Sequence, residues 1–194
     1  MIIPIILAAG QSQRFGSDKL LHNLDYGYVE QPMIIHSLKP WLEVFEHINI
    51  VVRPGNHDLI DLLENSEFSP RLTLIMADNA ITGMSASLVA GIEANLDADG
   101  WLIGLADMPF LQSSVIAESL VILNSGADIT LPIYNGKRGH PVGFALRFKS
   151  QLLALTGDKG AREIILSSPE KTTFIKSTDD GILRDIDTPE SLAT

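Results

Sequence analysis

The chain has 194 residues, 45% hydrophobic and 20% charged, a globular balance that suits one domain with a full core. With 24 acidic against 14 basic residues its formal net charge is −10, which argues against sequence-independent nucleic-acid binding, since that needs a basic face. It has no cysteine, which excludes disulfide frameworks, thiolate zinc sites and cysteine nucleophiles.

The first apolar run, Ile2–Leu7, reads as a buried strand and leads straight into a small-residue loop that carries Gly10, Arg14, Gly16 and Lys19. Glycines let backbone N–H groups approach a ligand, and two cations beside them can neutralise phosphate oxygens. The spacing is neither a Walker A loop nor a dinucleotide fingerprint. It is equally compatible with an ordinary strand-to-helix connection bearing two surface cations. No basic residue precedes the apolar run and no stretch has the length of a membrane span, so a cytoplasmic location without membrane contact is expected.

Further strands are predicted at Ile48–Val52, Leu72–Met76 and 101–106, alternating with helices at 33–44 and His57–Glu64; Pro40 should kink or split the first helix. Met84, Leu88, Ile92 and Leu96 form an apolar stripe for a third helix that includes Gly91, and 115–123 suits a fourth. Strands at 128–133 and 141–146 flank the polar loop 135–140, followed by a helix at 161–167, a strand at Thr172–Lys176 and a last turn near Pro189. This alternation implies an α/β, three-layer α/β/α domain with a mainly parallel sheet and its ligand loops at the strand carboxyl ends.

Candidate chemistry gathers at several loops. Asp107 ends the fourth strand, two residues before Pro109, and can project over the same sheet edge as the glycine loop; a carboxylate with phosphates suits Mg²⁺. Alternatively it only hydrogen-bonds its own turn. Asp185 and Asp187 lie two apart, and either could supply a second metal oxygen, although Asp187 to Glu190 also reads as a capping box. Gly83, Ser85 and Ser87 open the third helix, as anion or carbonyl binders or as plain N-caps. Lys137, Arg138 and His140 share one loop, and Lys159 and Arg162 stand at a helix start, where cations oppose the helix dipole and hint at a nearby anion. Otherwise each is a solvated turn. His22, His36, His47 and His57 have no metal-ligand spacing.

Together these segments resemble the molybdenum-cofactor nucleotidyltransferases, and more closely their cytidylyltransferase branch. Leu7 to Lys19 is similar to the family's Leu-Ala-Ala-Gly-x-Ser-x-Arg-hydrophobic-Gly-x-x-Lys signature, and residues 83–91, 106–109, 139–144, 157–162 and 185–189 match further blocks in order. The resemblance implies a nucleoside-diphospho-sugar transferase type of fold in a single NTP transferase domain over residues 1–194. It implies transfer of CMP from CTP to the phosphate of molybdopterin, with release of pyrophosphate. Arg14, Lys19 and Asp107 would be catalytic, with Mg²⁺ on Asp107 and Asp187. Leu7, Ala8, Ala9, Gly10, Lys19, Gly83, Ser85 and Ser87 would bind the nucleotide, and His140, Asp158, Lys159 and Arg162 the acceptor. A molybdoenzyme or its chaperone would receive the product. Ala9 replaces the glycine of the guanylyl branch, so its methyl should disfavour the larger purine. Val89 stands where the family often carries arginine, which implies that one triphosphate interaction is missing or replaced, and residues 22–31 are longer and more polar than the usual connection. Transfer to another phosphorylated acceptor such as a sugar phosphate, or a non-catalytic nucleotide-binding module, are the competing readings.

Overall fold

The computed structural model describes residues 1–10, 12, 15–26, 29–80, 83–158 and 160–188; Arg14, Lys159 and the turn expected near Pro189 lie outside the described residues. The strands are β1 (Ile2–Leu7), β2 (Asn23–Tyr26), β3 (Val29–Pro32), β4 (Ile48–Val52), β5 (Leu72–Met76), β6 (Gly100–Leu105), β7 (Ile129–Tyr134), β8 (Lys137–Arg138), β9 (Val142–Ala145) and β10 (Thr172–Lys176). The helices are α1 (Met33–Leu42), α2 (His57–Glu64), α3 (Met84–Glu93), α4 (Ser113–Asn124), α5 (Lys149–Leu153) and α6 (Arg162–Ser167).

The main sheet has the order β10-β7-β9-β6-β1-β4-β5, with β8 added to β7; β2 and β3 form a separate hairpin. β1 lies parallel to β4 and β6, β4 to β5, and β7 to β10, whereas β9 runs antiparallel between β6 and β7. Successive side chains along the strands point to opposite faces of the sheet, and the central strands are buried on both, which splits the core into two layers. Ile6, Ile50 and Leu102 face α1, α2 and α4 through Leu38, Leu59 and Ile116. Ile5, Val51 and Ile103 face α3, α5 and α6 through Leu88, Leu152 and Ile164. The expected three-layer α/β/α arrangement with a mainly parallel sheet is therefore present.

Four details differ from the expectation. α1 runs through Pro40 as one element, because its Met33, Ile34, Leu38 and Trp41 face is fully buried and outweighs one lost backbone hydrogen bond. The stripe of α3 stops early: the helix ends at Glu93, Asn95 Nδ2 donates back to the Gly91 carbonyl (2.9 Å), and Leu96 is left exposed. Residues 22–31 supply most of the β2–β3 hairpin, and β8 occupies part of the loop expected at 135–140.

The chain leaves β1 for β4 and β5 on one side, then returns to β6 on the other, so the strand order reverses between β1 and β6. A crevice opens beyond the carboxyl ends of parallel strands at such a reversal. There, Ala8 N–H donates to the Val51 carbonyl (2.8 Å) and Ala106 N–H to the Leu7 carbonyl (3.1 Å), which carries the pairing one residue past each strand. The loops bearing Gly10 and Asp107 are thereby brought to one edge.

Candidate functional site

The loop after β1 folds back on itself. Phe15 is buried against the ring of His22 (centroids 5.3 Å apart, edge-on), and Gly16 takes φ +81°. The Lys19 N–H donates to Ser12 Oγ (3.2 Å). Asp18 caps the following helical turn: its Oδ1 accepts from Leu20 N–H (3.1 Å), while its Oδ2 accepts from Asn56 Nδ2 (2.5 Å). These bonds hold the backbone of Lys19 in place and send its side chain across the crevice.

The Lys19 ammonium lies 2.6 Å from Asp107 Oδ2 and 2.8 Å from Asp187 Oδ1, with its side chain only 11% exposed. Burial pulls its pKa down, but the charges and hydrogen bonds of Asp107 and Asp187 outweigh that and raise it above 10.5. Ile186 N–H donates to the Asp107 carbonyl (2.9 Å), which pins the 185–187 segment beside the end of β6. Asp185 reaches the same crevice. Its pKa is raised, chiefly by burial and further by Asp107 and Asp187, against the opposing pull of its own backbone hydrogen bond and of Lys19. Asp107 Oδ1 is buried and has no hydrogen-bond partner among the described residues.

That orphaned oxygen and the adjoining carboxylates fit a hard divalent cation. Among the described residues no three His, Asp or Glu side chains are gathered to cage a metal. Mg²⁺ does not require such a cage, because one or two carboxylates with phosphates and waters usually hold it.

A cleft of about 690 Å³ opens above this cluster, within the usual size of a small-molecule site. Its lining includes Leu7, Ala8, Ala9, Gly10, Lys19, Gly83, Ser87, Asp107, Asp158 and Asp187. Gly83 takes φ +126°, and a Cβ there would collide with Asp158 Oδ1 and the Gly157 carbonyl, so the approach of these loops requires glycine. Ser85 does not line the cleft. It is fully buried and fastens α3 to the next loop, through Oγ to the Thr156 carbonyl (3.2 Å) and N–H to the Gly157 carbonyl (3.1 Å). Val89 also lies elsewhere, in a separate hollow with Met76 and Glu93.

A second cleft of about 600 Å³ adjoins the first and shares Leu7, Met84 and Leu105 with it. Leu88, Ile103, Leu131, Phe144 and Ile165 contribute apolar lining, and Lys137, Arg138, His140 and Arg162 contribute the polar part. Burial lowers the His140 pKa, against the raising influence of Asp107 and the Ile103 backbone, and the buried Nδ1 has no hydrogen-bond partner among the described residues. The expected acceptor group is therefore divided: His140 and Arg162 line the second cleft, and Asp158 lines the first. Sequence reasoning missed the positioning roles of Ser12 and Asn56. It could have found Asp18, a favoured N-cap residue directly before Lys19.

A mainly parallel central sheet flanked by helices on both faces is the architecture of the nucleoside-diphospho-sugar transferase type. The chain belongs to the family of MobA-like NTP transferase domains, whose model matches residues 4–172. It is 28% identical over 196 residues to the purine catabolism protein PucB of Bacillus subtilis, covering 97% of this chain and 93% of that one. It is 29% identical over 136 residues to a "Probable molybdenum cofactor guanylyltransferase" of Bacillus mycoides, covering 69% and 62%. Among solved structures, an Rv0371c homologue from Mycobacterium sp. strain JC1 superposes with a TM-score of 0.82 at 26% identity, covering 99% and 95% of the two chains. Rv0371c of Mycobacterium tuberculosis, solved as a manganese complex, superposes with a TM-score of 0.74 at 18% identity, covering 99% and 96%. No helix among the described residues is long and apolar enough to cross a membrane.

Proposed function

We propose that this NTP transferase domain moves CMP from CTP to the terminal phosphate of molybdopterin, in its metal-free or molybdenum form, and releases pyrophosphate. The observation that carries the reading is the convergence of Lys19, Asp107 and Asp187 on the floor of a nucleotide-sized cleft that shares a wall with a second, cation-bearing cleft. A phosphate oxygen of the acceptor attacks the α-phosphorus of CTP, and the bond from that phosphorus to the bridging oxygen of the β-phosphate breaks. The nucleophile is already an ionised phosphate, so the residues need supply no general base. Their work is positioning and charge stabilisation.

Asp107 and Asp187 would hold Mg²⁺, which supplies countercharge to the triphosphate. Lys19 and Arg14 neutralise the leaving phosphates as charge develops there. The backbone from Leu7 to Gly10, with Gly83 and Ser87, receives the nucleoside. His140 and Arg162 receive the acceptor in the second cleft, whose apolar wall suits a flat heterocycle, and Lys159 is assigned to the acceptor from the sequence resemblance alone. Similarity to a protein named for molybdenum cofactor guanylyl transfer supports the acceptor. The choice of cytosine rests on Ala9, which is buried in the cleft lining and narrows it by one methyl. A difference of that size is worth about 1–3 kcal/mol of discrimination.

The test is pyrophosphate release from each of the four ribonucleoside triphosphates with Mg²⁺, with and without molybdopterin. Release that depends on CTP and molybdopterin is expected. Faster turnover of GTP would refute the base assignment, and release only with a sugar phosphate would reassign the acceptor. Tight nucleotide binding without turnover in every pairing would make the chain a binding module.

A further inference from the structure

The two carboxylates that would hold the metal are the same two that hold Lys19, and this creates a conflict of occupancy. The ammonium is within hydrogen-bond distance of one oxygen of each. An Mg²⁺ ion shared by those oxygens would stand about 2.0–2.1 Å from both, in the space the ammonium fills. The two cations cannot occupy that space together.

The surroundings decide what displacement would cost. A metal arriving alone would leave the nearly buried ammonium without its partners, and such a charge is strongly destabilised. A triphosphate arriving with the metal changes this, because its oxygens offer the ammonium new acceptors within the same cleft that Lys19 already lines. The backbone of Lys19 is fastened through Ser12 and Asp18, while its four-carbon stem can swing the ammonium from the carboxylates toward the phosphates. Asp107 Oδ1, buried and unpartnered among the described residues, remains as a further oxygen for the incoming ion.

We propose that Lys19 is an exchangeable cation: it neutralises Asp107 and Asp187 until a metal–nucleotide complex enters, then hands them to the metal and moves to the phosphates. This rests on the nucleotide reading of the cleft and adds that metal and nucleotide bind in mutual dependence. Coupling of that kind is reciprocal between the two ligands.

The experiment is calorimetric titration of wild type and Lys19→Met with Mn²⁺ alone, and with Mn²⁺ plus α,β-methylene-CTP, a non-hydrolysable probe. Exchange predicts opposite signs. Lys19→Met should bind Mn²⁺ alone at least about fivefold more tightly, yet bind the Mn²⁺–nucleotide complex at least about fivefold more weakly. Tightening in both arms would show that Lys19 is a fixed countercharge, and weakening in both that it only orients the carboxylates; either overturns the exchange. An unchanged affinity for Mn²⁺ alone also overturns it. Failure of wild type to bind the analogue at all would instead refute the nucleotide reading, and the exchange with it. If Lys19→Met does not fold, Lys19→Gln, which keeps a donor toward the carboxylates, takes its place under the same criteria.

Discussion

Replacing Gly104 with alanine would drive a methyl group into the indole of Trp41. Gly104 lies in β6, paired with Ile6 of β1, and α1 crosses it through Trp41, which has no exposed surface. An added Cβ would sit inside van der Waals distance of Trp41 Cζ2 and only 3.0 Å from Cε2 and Cη2. Carbon atoms in good contact are about 3.5–4.0 Å apart, so the indole must retreat by more than about 1 Å at Cζ2 and by about 0.5–1 Å at the other two atoms. Trp41 is also stacked on Phe45 (centroids 6.2 Å apart), so the displacement is passed on. Overpacking of this kind costs about 1–3 kcal/mol. For a chain of this size each kcal/mol lowers the melting temperature by about 2–4 °C, which gives a fall of about 2–12 °C in differential scanning calorimetry. Trp41→Phe in the Gly104→Ala background should recover part of the loss, because the smaller ring frees the space; a double-mutant cycle reads that coupling. Turnover should drop as well, since Asp107 follows three residues along the same segment. A Gly104→Ala melting temperature within about 1 °C of wild type, below the smallest shift expected, would refute this account of the α1–sheet packing.

Two further outcomes are expected. Asp107→Ala should cut pyrophosphate release by about 10²-fold or more, with a cooperative thermal unfolding transition by circular dichroism; a near-normal rate would remove Asp107 from the metal and charge cluster. Stability should also fall in mild acid. Burial holds both His36 and His140 below their ordinary pKa of 6.5, His36 while Nε2 donates to the Leu24 carbonyl (3.2 Å), so the unfolded chain takes up these protons first as the pH drops. Their contribution is complete above pH 6.5 and is lost as the pH falls through the lower folded values. Melting temperature measured from pH 8 to 5 should therefore decline on the acid side, and His36→Gln should flatten the decline; an unchanged slope in that variant would contradict it.

Apolar runs made the parallel strands β1, β4 and β5 legible, because aliphatic residues cluster there between turn signals; β10 shows instead through its β-branched and aromatic residues Thr172, Thr173, Phe174 and Ile175, and α2 matches its predicted bounds. The β2–β3 hairpin was not legible, because its four-residue strands carry Asn23, Asp25, Glu30 and Gln31 and show no apolar period. Nor does a sequence show that β9 inserts antiparallel between β6 and β7, since strand direction depends on partners far along the chain. The residues of the site were largely visible through their loops. Their mutual arrangement was not: nothing local to Lys19 states that it bridges Asp107 and Asp187, or that Ser85 turns into the protein while Ser87 lines the cleft.

The bond from Lys19 to Asp187 spans 168 positions of the chain, and the one to Asp107 spans 88. Synthesis proceeds from the amino end, and segments fold as they emerge. A nascent chain can therefore raise its glycine loop and lay down β6 long before the second carboxylate exists. Lys19 must wait, paired on one side only, until residue 187 clears the ribosome. A ribosome-bound fragment that lacks this segment has the walls of the cleft without its full acidic floor, so the Lys19–Asp187 pair is among the last contacts of the cleft to form.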